Sequence, residues 1–127
     1  MDYVMYRGDS LMLDLAITQK NNNVVVPVDL TGATLWMTAK YKITDTDASA
    51  VFQITTPTDI KIDEDPLSGR ATVIVPGSAT LSVTYPPDSE SVRLIYDIQV
   101  KTQTGIVQTV ARGYLTVMED VTIAEIT

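Results

Sequence analysis

The groups best placed to do chemistry in this chain are its carboxylates, sixteen among 127 residues. Two short clusters stand out, Asp45 and Asp47 in TDTD, and Asp63, Glu64 and Asp65 in DEDP. Carboxylate clusters suggest calcium, which needs about six to eight oxygens converging on one point. Two or three acids from one loop fall short of that, so both clusters read as solvated turn residues. Asp14 and Asp97 instead lie inside stretches of alternating apolar residues. A carboxylate pair can cleave a glycosidic bond when its separation is fixed and one pKa is raised. Nothing in the spacing selects such a pair, and period two turns both residues toward solvent.

The other catalytic groups are scarce. There is no histidine and no cysteine. That removes the commonest general base near neutral pH, the commonest zinc ligand, thiolate nucleophiles and disulfides. None of the serines sits in a nucleophile elbow, and no glycine-rich phosphate loop occurs. The sequence therefore predicts a non-enzymatic protein with no catalytic, cofactor or metal site. The formal charge of −7 argues against nucleic-acid and anionic-membrane partners. No apolar run approaches the roughly 20 residues that span a bilayer, and no signal peptide is visible.

Recognition chemistry remains. Arg7-Gly8-Asp9 is a short adhesion signal in some extracellular proteins. Here it stands two residues before a strong alternation, which fits a turn into a strand better than a displayed loop. In that turn Asp9 or Ser10 bonds local backbone amides, Gly8 relieves the bend and Arg7 pairs with an acid. Trp36 falls on the polar face of its strand, where it packs at a rim, contacts a partner or stacks on a sugar. Tyr85 precedes Pro86-Pro87 in a loop, as an interface anchor or folded back over the domain. Trp36, Tyr85, Val121, Ile123 and Ile126 are the candidate interface residues.

The elements that must position these groups are strands. LMLDLAIT puts Leu11, Leu13, Leu15 and Ile17 on one face. KNNN at 20–23 is a turn, and VVVPVDL is an edge or a break because Pro27 cannot donate to a ladder. TLWMTAKYKI lines one face with Leu35, Met37, Ala39, Tyr41 and Ile43, and the other with Trp36, Thr38, Lys40 and Lys42. VFQITTP, DIKIDE and RATVIVPG are shorter strands, with a turn at DEDPLSG. SATLSV is a helical turn or a loop, and TYPPDSES is a loop. VRLIYDIQVKT and IVQTVARGYLTVME form a long hairpin about a turn at 103–105, with Gly113 marking a bulge or a close approach.

About seven to nine mostly antiparallel strands, with a turn every ten residues or so, predict an all-β, immunoglobulin-like β-sandwich. An open barrel is the alternative. Residues 1–120 form the predicted single domain, and 121–127 a C-terminal tail that is loose or docks on a neighbour.

The segments YRGDSLMLDLAI, VPVDLTGATLWMTAKYK, DPLSGRATVIVP and SVRLIYDIQVKTQTGIVQTVARGYLTVMEDVT together cover nearly the whole chain. In them the chain resembles small immunoglobulin-like domains of tailed-phage virion proteins, similar to the N-terminal domain of baseplate upper proteins. The resemblance implies a non-enzymatic structural part of the virion, in baseplate, tail, neck or head. It also implies other phage structural proteins as partners, with self-association or a particle lattice. The helical and trimeric regions of full baseplate upper proteins have no counterpart here, so attachment to a host-binding partner does not carry over. A carbohydrate- or receptor-binding module is the alternative function.

Overall fold

The computed structural model describes residues 1–121. It is all-β, with ten strands and three short 3-10 turns. The strands are β1 (Tyr3–Tyr6), β2 (Leu11–Ala16), β3 (Thr18–Asn21), β4 (Val24–Pro27) and β5 (Thr34–Lys40). They continue as β6 (Phe52–Thr55), β7 (Ile60–Ile62), β8 (Arg70–Val75), β9 (Ser91–Lys101) and β10 (Val107–Met118). No helix among the described residues is long and apolar enough to cross a membrane.

A five-stranded sheet has the order β1-β10-β9-β5-β6, and a three-stranded sheet the order β2-β8-β7. Period-two alternation gives the strands of these two sheets an apolar face. Leu13 and Leu15, Val73 and Val75, Leu94, Tyr96, Ile98 and Val100, and Leu115 and Val117 are all buried in one shared core. Burial of several leucines to zero exposure makes that core costly to disturb, about 2–5 kcal/mol for one Leu→Ala. The outer face of the larger sheet carries the alternate residues, among them Trp36, Thr38, Arg93, Asp97, Gln99, Arg112 and Tyr114.

Four departures from the expected layout have local causes. There are ten strands among the described residues, because Tyr3–Tyr6 pairs as β1 and LMLDLAIT breaks at Ile17, leaving β3 paired only with β4. That hairpin turns at Asn22 and Asn23, both at positive φ as an asparagine turn allows. Tyr41 and Ile43 do not line the core, for β5 stops at Lys40. A turn closes there as Asp45 N–H donates to the Lys42 carbonyl, and the Asp45 carboxylate accepts from Lys42 N–H. The bulge in the long hairpin lies at Val110, which the pairing skips between Thr109 and Ala111. Gly113 marks a close approach instead, since a Cβ there would overlap the Met1 carbonyl oxygen. Finally, the sheets are of mixed type: β1 runs parallel to β10, Tyr3 opposite Leu115 through Tyr6 opposite Met118.

Candidate functional site

Arg7-Gly8-Asp9 is the turn by which the chain leaves β1 for β2 and so changes sheets. Asp9 N–H donates to the Tyr6 carbonyl at 3.1 Å. Gly8 takes positive φ, +85°, and its N–H donates to the Thr80 hydroxyl at 3.0 Å. Thr80 is fully buried, so this bond satisfies a polar group that water cannot reach. Arg7 is held by Asp120, with Nη2 2.8 Å from the carboxylate. The expected Asp9 contact is corrected: its side chain is exposed, and the side chain that accepts from the turn's backbone is Thr80, from Gly8 N–H. The arginine of the triplet is thus committed inside the fold.

Tyr85 folds back onto the core, with the Arg7 guanidinium 5.9 Å from its ring centroid. Burial raises its pKa, against the pull of Arg7. Its hydroxyl is buried with no partner among the described residues. Val121 is 99% exposed. Ile123 and Ile126 lie outside the described residues.

The acids separate cleanly by role. Asp45 closes its turn, and Asp65 accepts from Leu67 N–H at 3.1 Å to start the 3-10 turn at Pro66–Ser68. No group of three or more potential ligands that could hold a metal occurs among the described residues. Asp14 projects from the outer face of the three-stranded sheet and Asp97 from the outer face of the five-stranded one. With the core between them, they do not form a pair.

Trp36 lies among polar groups on the outer face of the larger sheet. An open groove of about 300 Å³ runs over the outer face of the five-stranded sheet beside it. Cross-strand pairing builds the floor in rows. Trp36 lies opposite Gln99 on β9 and Thr55 on β6. In the next row Thr38 lies opposite Asp97 and Gln53, and Asp97 in turn opposite Arg112 on β10. Beyond it Lys40 lies opposite Ile95. Gln53 donates to the Thr38 hydroxyl at 3.0 Å, and Gln99 donates to Asp97 at 3.3 Å and to Thr109 at 3.4 Å. These bonds hold the amides in place.

The groove's charges are balanced but unequal in freedom. Lys40 is paired with Asp47 at 2.8 Å. Arg112 is exposed and makes no ion pair among the described residues. Burial pushes the Asp97 carboxyl above its ordinary value. Lys40 pulls it back, Asp47 pushes it up, and Arg112 and the Gln99 bond lower it. A partly desolvated carboxylate gains from any hydroxyl donor that enters. A second slot, of about 540 Å³, lies between residues 16–18 and 108–110. It carries neither an aromatic nor a charged side chain.

No family model matches the chain, and no curated protein matches it. Among solved structures it is similar to AggA, the major subunit of aggregative adherence fimbriae type I of Escherichia coli. The alignment covers 94% of this chain and 89% of that one, at 11% identity and a TM-score of 0.32. The phage reading is corrected. The similar structure is a fimbrial subunit and not a baseplate protein, and no family model stands behind the expected phage membership. The virion location and the phage structural partners are withdrawn with it. A likeness this distant transfers no function, so what the chain binds is argued from the groove alone.

Alternation in the sequence places Trp36 on a polar face but does not single out Asp97, Gln99, Arg112 and Lys40 as its companions. It shows only that each points outward. Which of them meet depends on the β5–β9 register, about sixty residues apart in the chain.

Proposed function

We propose that the protein is a non-catalytic recognition module, an immunoglobulin-like β-sandwich that binds carbohydrate in the outer-face groove at Trp36. The supporting observation is one aromatic ring standing in cross-strand register with an amide, beside a neighbouring row that holds a carboxylate opposite an exposed guanidinium. A sugar ring has an apolar face of C–H groups and a rim of hydroxyls. Trp36 offers dispersion contact to that face. Asp97 accepts from hydroxyls, Arg112 donates to them, and Gln99 does both. The open shape and the preformed floor suit a ligand that is solvated on one side.

A glycan array followed by calorimetry tests this reading. Trp36→Ala weakens binding by about tenfold, in keeping with the removal of one well-stacked aromatic ring. Asp97→Asn weakens it as well, by replacing a two-oxygen acceptor with one carbonyl. An array without hits, or a Trp36→Ala protein that binds as well as the parent, sinks the proposal.

A further inference from the structure

We infer that the ligand is an oligosaccharide chain that runs diagonally across the sheet from Trp36 to a second aromatic subsite at Tyr114. The inference rests on the carbohydrate reading above. Tyr114 projects from β10 on the same outer face and is 41% exposed. Its cross-strand partner on β9 is Ile95, whereas that of Trp36 is Gln99. The two rings are therefore offset by four residues along the sheet and by two strand spacings across it. Ordinary sheet dimensions make that about 13 Å by about 10 Å, or a diagonal of roughly 16 Å. One sugar ring cannot touch both. Asp97 stands midway on the line between them, with Arg112 directly opposite it to one side.

A cation packed against Tyr114 supports a subsite and not merely an exposed ring. The Arg93 guanidinium carbon lies 4.4 Å from the Tyr114 ring centroid. Arg93 is paired with Thr116, two residues beyond Tyr114 and away from the groove. The cation packs on the ring and braces it. A braced, exposed ring beyond the Asp97–Arg112 row forms a terminus for an extended ligand. It is built from residues that make no contribution to the core.

The test is calorimetry with β-1,4-linked series of glucose, galactose and N-acetylglucosamine, from the monosaccharide to the hexasaccharide. For whichever series binds, affinity rises with length and then levels off. Tyr114→Ala weakens the longest member by about tenfold and leaves the monosaccharide unchanged, while Tyr114→Phe binds as the parent does. Trp36→Ala weakens every length. Thermal melts check that each variant folds, which the exposure of Tyr114 favours. Affinity independent of length, or an equal drop for long and short ligands in Tyr114→Ala, overturns the second subsite and leaves the Trp36 groove standing. Absence of binding by every member of all three series overturns both.

Discussion

Arg7 and Asp120 join the two ends of the domain: the guanidinium of one, just after the first strand, lies 2.8 Å from the carboxylate of the other, just after the last. Arg7 Nε donates to the same carboxylate at 2.8 Å, and both side chains are about four-fifths shielded from solvent. A pair shielded in this way is worth more than a surface pair, because water competes less for its hydrogen bonds. Arg7→Ala lowers stability by about 1–2 kcal/mol in urea denaturation, as it also uncovers the Tyr85 ring. Asp9→Glu, in contrast, leaves the midpoint unchanged, since the Asp9 side chain is exposed. Adhesion of mammalian cells to the protein, if any is seen, is not competed by RGD peptide. A large destabilisation in Asp9→Glu or full competition by the peptide contradicts this account of the turn.

Gly113→Ala tests the close approach at the amino terminus. The new methyl occupies the place of the Met1 carbonyl oxygen, which also accepts from the Tyr96 hydroxyl. Nearby, the Met1 ammonium donates to the Arg112 carbonyl at 3.0 Å, and Asp2 accepts from Tyr114 N–H at 2.9 Å. The variant is less stable by about 1–3 kcal/mol, the usual size of overpacking. In a protein lacking residues 1 and 2 the same substitution costs almost nothing, because the clash has gone. Additive effects in the double-mutant cycle dismiss the clash as the cause.

Alkaline unfolding reports on Tyr96. Burial, with Tyr3 and Asp2 nearby, pushes its pKa up to about 12 from an ordinary 10. The folded state then holds the phenol proton more tightly than the unfolded chain does. That contribution is fully present below pH 10 and is lost as pH rises toward 12. Stability measured across this window declines in the parent, and declines less in Tyr96→Phe. Parallel curves for the two proteins rule the effect out.

Asp97 carries an opposite lesson about the groove. Its folded pKa is raised, so ionisation disfavours the folded state, and the relative stability present below pH 3.8 is lost as pH rises through the folded value. Asp97→Asn is therefore slightly more stable than the parent at pH 7, with the advantage fading in acid. The same variant binds its sugar less well. Thermal melts over pH 3–7, beside calorimetry at pH 7, check both halves. A variant less stable at neutral pH refutes the desolvation argument.

Much of the core was legible in the sequence. Alternation in Leu11–Ala16 and Ser91–Lys101 correctly predicts Leu13, Leu15, Leu94, Tyr96, Ile98 and Val100 as buried. The Asn-rich turn before Val24 is equally visible, because asparagine tolerates the left-handed backbone seen there. The illegible part is non-local. YVMY is too short to announce a strand, and its parallel pairing with β10 joins residues over a hundred positions apart. Tyr41 and Ile43 continue the alternation of β5, yet the Asp45 turn ends the strand first. The groove was half legible: period two turns Trp36 and Asp97 outward. Only the β5–β9–β10 register brings them into adjoining rows.

The parallel pairing of β1 with β10 has a mechanical consequence. Tyr3 faces Leu115 and Tyr6 faces Met118, so tension applied to the two chain ends drags the strands past one another lengthwise. Their hydrogen bonds, with the Arg7–Asp120 clasp beside them, then share the load and must rupture together, instead of opening one after another like a zip. The broad face that carries the proposed binding groove belongs to that same sheet and is thereby braced against pulling.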